Sequence, residues 1–561
     1  MLSSINALLP EIAPYCHLSY AESSQLKFGK YTILSMVGPQ QGDPLGPLLF
    51  CLPLQPALLK LSSALAFGYL DDISLGGPSS TVEADIDLLE TECANLGLVF
   101  NRAKCEVTAI DLHQVTHNSF RHFTRTNLDS VSLLGAPLST GMALQVALDA
   151  RVEELNRALD RLGLITRQEA LLILRSSLGA PKLLYSLRCA PCADHPALAE
   201  YDRLLRKGLE DILNINMSES QWLQSTLPIG MGGLGIRRVS SLALPAFLAS
   251  AAGTLALQSN ILNEVDIHPD PHVESLVAKW QEDLEIKITE DFPTHMQSRW
   301  DIPLLQRTSS ELFQLLTEKH DQARWRAVTA LHTGDWLYSL PITSCGLRLS
   351  DEAIRVAVGL RLGVNICEPH TCSCGALVTA RGEHGLSCSL GFGRVARHGV
   401  LNDLIYRALS KAGFPSVKEP QGLLRSDGKR PDGITLIPWK AGKSLVWDAT
   451  VVDTLAPSYL PASAIRAGAA ACLAEDRKNL KYKAFLNTHV FVPIALETLG
   501  PINNEGLDFI SDLGRHLTQA TGEPRECGFL FQRISITIQR FNAVAFSGSF
   551  IKPSIEMHNN N

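Results

Sequence analysis

This chain lacks an excess of positive charge. Its 50 Lys and Arg are outnumbered by 57 Asp and Glu, a net charge of -7. That excludes a protein that coats nucleic acid through bulk charge, because phosphate binding rests on Lys and Arg. Any nucleic-acid surface must be local. Met1 to Pro14 contains neither Lys nor Arg, and without a basic start a secretory signal is not expected. Long apolar runs are also missing. The longest, Leu242 to Leu257, is interrupted by Pro245 and Ser250, short of the roughly 20 apolar residues that span a bilayer. It reads as a buried helix, and no membrane partner is expected. No segment repeats with a period of roughly 20 to 50 residues. The 13 Cys are mostly scattered singly, as in reduced intracellular proteins rather than disulfide frameworks. An intracellular location, nuclear or cytoplasmic, is the expectation.

What the chain has is length and apolar surface. With 561 residues and 45% hydrophobic content, it exceeds what one core supports and is too apolar to be mainly disordered. Residues 1–137 mix short apolar strands with Gly and Pro, whereas Leu148 to Leu213 shows long helical periodicity. Helical patterning continues to about residue 360, with Asn260 to Asp301 polar enough for a linker. From Cys367 onward Cys, His and Gly are dense; a helical segment follows, then strand-like runs at Gly433 to Ile437 and Ser444 to Val452. Five segments are expected: 1–137, 138–245, 246–360, 361–500 and a C-terminal extension 501–561, whose Asn-rich end is too short to read.

The first chemical signal is Phe67-Gly68-Tyr69-Leu70-Asp71-Asp72-Ile73-Ser74-Leu75-Gly76. Two carboxylates at the tip of an otherwise apolar hairpin suit Mg²⁺, which takes hard oxygen ligands. An Asp-Asp turn that satisfies its own backbone is the alternative. Upstream stands Gly38-Pro39-Gln40-Gln41-Gly42-Asp43-Pro44-Leu45-Gly46-Pro47, opening into an apolar helix. Downstream stand Asn101-Arg102-Ala103-Lys104-Cys105-Glu106 and Leu133-Leu134-Gly135-Ala136-Pro137-Leu138. Together, in this order, the four segments resemble the palm of non-LTR retrotransposon reverse transcriptases.

The resemblance implies a partial right-hand polymerase palm followed by an α-helical thumb and connector. Asp71 and Asp72 would hold the catalytic Mg²⁺, Gln41 and Gly42 would lie against template and incoming deoxynucleoside triphosphate, and Lys104 would approach the triphosphate. Gly135 would allow the turn supporting the primer end. The family carries a further metal-binding Asp on a strand upstream of the Gln-Gly loop, and here no Asp precedes Asp43. Two cations at the spacing of roughly 3.5 to 4 Å that the two-metal reaction uses need that carboxylate, so a polymerase not competent by itself is expected. Gly232-Gly233-Leu234-Gly235-Ile236-Arg237 resembles a turn after the thumb of related elements; a Gly run ending a helix is the alternative.

The second signal is Cys372-Ser373-Cys374 with His384 and Cys388 downstream. Thiolates and imidazole in a short Gly-containing loop suit tetrahedral, structural Zn²⁺. The single residue between the first two Cys is unusually short, so Cys367 or His370 remains an alternative to Cys372. Buried Cys acting as small hydrophobes is the non-metal reading.

Arg397-His398 then opens a helical pattern through Leu409, followed by Arg430-Pro431-Asp432-Gly433 and Trp447-Asp448-Ala449-Thr450-Val451. An Asp at one strand's start and another inside the next bring two carboxylates to one Mg²⁺. The ordered set of Cys/His knuckle, Arg-His, Pro-Asp and Asp-x-Thr resembles the restriction-like endonuclease of site-specific non-LTR elements, a PD-(D/E)xK-like α/β nuclease with its Lys displaced. Thr450 occupies the usual Lys position. Lys478 and Lys481 share a helix face three residues apart and are both candidates to orient water or stabilise the phosphorane; solvated helix charges are the alternative. Arg397 and His398 are expected at the substrate. Residues 391–443 hold ten Lys/Arg against four Asp/Glu, the local basic patch the acidic whole requires. The implied partners are target DNA and element RNA. Two readings follow: a Mg²⁺-dependent DNA endonuclease fused to part of a reverse transcriptase, or a remnant that binds nucleic acid without chemistry.

Overall fold

Gly and Pro punctuation in the first part of the chain produces short strands joined by tight turns, and the Leu-, Ala- and Arg-rich sequence beyond it produces long helices. The computed structural model describes residues 1–262, 270–289, 291–388, 390–391, 393–424, 428–485 and 487–550. They pack as two units, one of Met1–Leu148, Ser186–Cys192 and Leu244–Arg299, the other of Asp149–Tyr185, Ala193–Ala243 and Trp300–Asn561. The Asn-rich end, 551–561, and Arg425 of the basic patch lie outside the described residues.

In the first unit, β1 (Ser24–Phe28) pairs antiparallel with β2 (Tyr31–Ser35). The apolar run after the Gly/Pro loop forms α1 (Gly46–Leu58), with Pro47 in its first turn, where a missing N–H costs nothing. The expected carboxylate hairpin is present as β3 (Leu65–Tyr69) and β4 (Asp72–Gly76), with Tyr69 opposite Asp72. Helix α2 (Ser79–Asn95) packs Leu89 and Cys93 onto Leu54 and Ala57 of α1. Buried Asp85 of α2 accepts hydrogen bonds from the Ser62 and Ser63 amides, which ties the α1–β3 connection to this core. The stretch expected as a linker instead contains a helix, Pro271–Leu284, capped by Asp270. It folds because Trp280, 1% exposed, anchors it against Phe292. Residues 263–269 and 290 of that stretch lie outside the described set.

In the second unit the helical region comprises α3 (Met142–Leu162, joining this unit at Asp149), α4 (Arg167–Ile173), α5 (Ala180–Cys189, leaving it at Ser186) and α6 (Pro196–Leu213). A capping box between Thr166 and Glu169 starts α4, each side chain satisfying a free amide of the first turn. The Gly-rich turn follows a short 3-10 turn, Ile229–Met231. A Cβ on Gly233 would lie 2.0 Å from the Leu227 carbonyl oxygen, so close backbone approach requires glycine there. Helix α7 (Val239–Ile261), which passes to the first unit at Leu244, is long and apolar enough to cross a membrane. The buried-helix expectation holds for its first half, where Leu242, Ala246 and Leu248 are buried; Leu255 and Leu257 are exposed.

A four-stranded sheet forms around the C-terminal chemistry. After α8 (Asp351–Leu362) and α9 (Gly393–Lys411) come β5 (Ser416–Lys418), β6 (Gly433–Lys440) and β7 (Lys443–Val452), then α10 (Ala469–Lys481), β8 (Val490–Glu497), α11 (Asn504–Thr521) and α12 (Glu526–Ser547). The strand order is β5-β6-β7-β8. The first two pairs are antiparallel and β7–β8 is parallel, a pairing that needs the crossover α10 supplies. Central β7 is apolar over most of its length because both faces are covered. Leu401 and Ile405 of α9, Trp447 of β7, Leu513 of α11 and Ile534 of α12 meet in one core, each such side chain contributing about 1.5 to 3 kcal/mol. The segment expected as a C-terminal extension is therefore integral to the sheet's core through α11 and α12. The second half of the expected connector joins the same unit through α8.

Candidate functional site

Strand pairing sets the two C-terminal carboxylates side by side. Gly433 lies opposite Trp447 in the β6–β7 register. The residue before one is Asp432, and the residue after the other is Asp448. Gly433 must be glycine, since a Cβ would come 2.0 Å from the Trp447 ring. Alternation along β7 sends Trp447 and Ala449 into the core and Asp448 to the other face. The Asp432 amide donates to the Trp447 carbonyl (3.1 Å), and the Ala449 amide donates to Asp432 Oδ2 (2.7 Å). From α9, His398 Nε2 reaches the same oxygen at 3.0 Å. Asn402, one turn further on, accepts from Trp447 Nε1 (2.8 Å) and fixes α9 against β7.

Asp448 is 3% exposed. Lys478 Nζ donates to its Oδ2 at 2.6 Å, and the Tyr482 hydroxyl lies 3.3 Å from Oδ1. Lys481 Nζ donates to the Tyr482 hydroxyl (2.6 Å), which is also 2.8 Å from the Arg430 carbonyl oxygen. Thus α10 brings both candidate lysines to the same neighbourhood, Lys478 on the carboxylate and Lys481 one residue removed through a phenol. Burial pushes the Asp448 carboxyl up, the nearby Asp432 charge adds to this, and Lys478 opposes it. The hydrogen bond to Asp432 raises the His398 pKa against the effect of burial. A second carboxylate beside Asp448, whose charge burial opposes, makes an arrangement that a divalent cation would relieve.

The Cys/His loop gathers next to this sheet in sequence. Short antiparallel strands His370–Thr371 and Leu377–Val378 carry Cys372 and Cys374 in their turn, and a single helical turn, His384–Ser387, brings His384 and Cys388 to them. The four ligand atoms lie within 4.8 Å of one another. Cys372 Sγ and Cys388 Sγ are 3.7 Å apart, far beyond a disulfide of about 2.05 Å and close to the roughly 3.8 Å edge of a tetrahedron with Zn–S bonds of about 2.3 Å. Cys374 Sγ is 3.2 Å from His384 Nε2. Burial opposes a charged Cys372, but hydrogen bonds from the Cys374 amide and neighbouring side chains bring its pKa to about 6. Burial pushes Cys388 up to about 11. The alternative ligands point elsewhere: Cys367 Sγ faces the Thr379 carbonyl, and His370 stacks on Phe550.

Arg397 departs from the expected substrate contact. It is 2% exposed and donates to Asn542 Oδ1 at 3.0 Å, because it lies on the face of α9 turned toward α12. Asp71 and Asp72 sit exposed at their hairpin, and among the described residues they join no group of three metal-ligand atoms. Gln41 and Gly42 are exposed in their loop, and Lys104 is exposed on the 3-10 turn Arg102–Lys104. Neighbouring Asp43 accepts from the Tyr20 hydroxyl and the Leu45 amide. Sequence reading missed the parts played by Tyr482 and Asn402. Tyr482 directly follows Lys481 in the chain, yet an aromatic at a helix end reads as core, and only the fold shows its hydroxyl at Asp448.

The chain is retrotransposon-related. It is 24% identical over 498 residues to the retrotransposable element SLACS 132 kDa protein of Trypanosoma brucei gambiense, a match covering 86% of this chain and 37% of that protein. The chain thus spans little more than a third of the length of the curated relative it matches. No family model matches it.

Proposed function

We propose that the second unit of this retrotransposon-related chain is a Mg²⁺-dependent, PD-(D/E)xK-like DNA endonuclease, accompanied in the first unit by part of a reverse-transcriptase palm. The observation that carries the reading is the meeting of Asp432, Asp448 and Lys478 from two paired strands and a crossover helix. Mg²⁺ held by Asp432 and Asp448 would neutralise charge developing on the scissile phosphate. Lys478, on the Asp448 carboxylate, is placed to orient the attacking water. His398 holds Asp432 in position and, when protonated, adds positive charge on the DNA side. Water gives up a proton as its oxygen bonds to phosphorus, the bond to the 3′ oxygen breaks, and that oxygen takes up a proton, leaving a 5′-phosphate and a 3′-hydroxyl suited to priming synthesis.

Zn²⁺ on Cys372, Cys374, His384 and Cys388 would cross-link the loop ahead of α9 as a closed structural site. Target DNA and element RNA are the proposed partners; if the polymerase site is completed, Asp71 and Asp72 would hold Mg²⁺, Gln41 and Gly42 would lie against template and deoxynucleoside triphosphate, and Lys104 would approach the triphosphate. The exposed, unassembled Asp71–Asp72 pair argues against synthesis by the first unit alone, and the second reading is a remnant that holds nucleic acid through the Cys/His loop and basic patch without chemistry. Nicking of supercoiled plasmid in Mg²⁺ tests the proposal. Wild-type protein should convert it to open circles, and the Asp432→Ala, Asp448→Ala double variant should not; equal behaviour of the two defeats the nuclease reading.

A further inference from the structure

Far from the carboxylates in sequence, α3, α4, α5 and α6 of the second unit enclose a cavity of about 460 Å³, within the range of small-ligand pockets. Its rim carries Arg157 and Arg161, and its wall includes Leu162, Ile173 and Leu178. The arginines are one turn apart on α3, both exposed, and neither has an ion-pair partner among the described residues. Lys182 lines the cavity too, with Glu154 as its lone carboxylate. Glu154 is already neutralised by Lys182 (3.0 Å) and Arg151 (2.7 Å), so the arginine pair leaves the rim electropositive.

The backbone is shaped around this space. Between α4 and α5 the chain makes a π turn, Leu174–Leu178, a wide and uncommon geometry that recurs at functional sites. The Tyr201 hydroxyl donates to the Leu178 carbonyl oxygen at 2.5 Å, which holds the turn open from beneath. An aliphatic floor under two free guanidinium groups matches a flat apolar ring attached to a phosphate. Guanidinium forks take phosphate oxygens two at a time, and a base enters a concave site only when it is splayed out of a stack.

We propose that this cavity binds one unstacked nucleotide of single-stranded nucleic acid, its base against Ile173 and Leu178 and its phosphate on Arg157 and Arg161. Duplex, whose bases stay stacked, is excluded from the floor and meets only the rim. An acidic peptide would use the arginines and leave the floor unused.

The test is anisotropy of fluorescein-labelled dT12, rU12 and a 12-base-pair duplex with full-length protein in buffer without added Mg²⁺ or chelator, where the proposed nuclease lacks its cation and plays no part. Arg157→Ala with Arg161→Ala should weaken dT12 or rU12 about tenfold and lower the salt slope by about 0.7, the contribution of one phosphate contact to a single strand. Ile173→Trp, which fills the floor and keeps both charges, should weaken the same single strand about tenfold with the salt slope unchanged and leave duplex binding as it was. Whichever of dT12 and rU12 depends on these side chains identifies the sugar. Wild-type affinity in the filled variant, or equal losses for single strand and duplex in both variants, overturns the proposal; competition by poly-Glu that Ile173→Trp does not alter would assign the rim to acidic peptides and overturn it too.

Discussion

Lys478 and Asp448 meet at 2.6 Å although they belong to different elements, one on a helix and the other inside the central strand of the sheet. The carboxylate is buried and the ammonium is partly so, and an ion pair of this kind depends on both partners, because removing one leaves a buried charge unmatched.

Replacing Lys478 by Ala should therefore affect both folding and chemistry. We expect loss of about 1 to 3 kcal/mol of stability and a fall in plasmid nicking of about 100-fold or more. Lys481→Ala, which removes a donor to a phenol instead of to the carboxylate, should cost less in both. Urea unfolding and initial nicking rates for the two variants check the order; a larger loss at Lys481 would exchange their roles.

His398 makes stability depend on pH in a definite direction. Its folded pKa is raised above the ordinary value of 6.5 by Asp432, so its contribution is fully present below about pH 6.5 and is lost as pH rises through the folded pKa. The difference in unfolding free energy between wild type and His398→Ala should accordingly be largest near pH 5.5 and shrink above neutrality. Denaturant titrations from pH 5.5 to 9 would reveal the opposite slope if His398 were held neutral.

Tyr482→Phe keeps the fully buried ring but removes the hydroxyl shared by Lys481, Arg430 and Asp448. A stability cost of about 1 kcal/mol is expected, together with weaker Mg²⁺ binding: the Mg²⁺ concentration for half-maximal nicking should rise while the ring packing seen in near-UV circular dichroism stays unchanged. Nicking at wild-type Mg²⁺ levels would assign the phenol to packing alone.

Zinc content separates the candidate ligands. Wild-type protein should carry one Zn²⁺ per chain, Cys374→Ser and Cys388→Ser should lose it, and Cys367→Ser should keep it. Atomic absorption on dialysed protein reads this directly, and metal loss in Cys367→Ser would return that residue to the ligand set. A chelator should lower the thermal midpoint of wild type, since binding free energy of a structural site is folding free energy.

Much of the local structure was legible in residue order. The Gly/Pro loop before an apolar helix, the Tyr69–Asp72 hairpin, the strands around Asp432 and Asp448, and the helix bearing Lys478 and Lys481 all follow from periodicity and turn chemistry, which act over a few residues. Side-chain direction was less legible. Arg397 and His398 are neighbours in sequence, but a helix turns them to different faces, one buried against Asn542 and the other at Asp432.

Domain limits were the least readable, because α11 and α12 carry no chemical motif and their apolar faces gain meaning only against β7, β8 and α9. By itself the sequence determined which ligand types exist, in what order, and on which kinds of element, since these depend on composition and short-range periodicity. Only the tertiary structure decided that Lys478 rather than Lys481 contacts the buried carboxylate, that Cys372 rather than Cys367 lies with the other thiols and His384, and that a tyrosine hydroxyl links the Arg430 carbonyl to Asp448. Those choices depend on strand register and helix rotation, and long-range packing sets both.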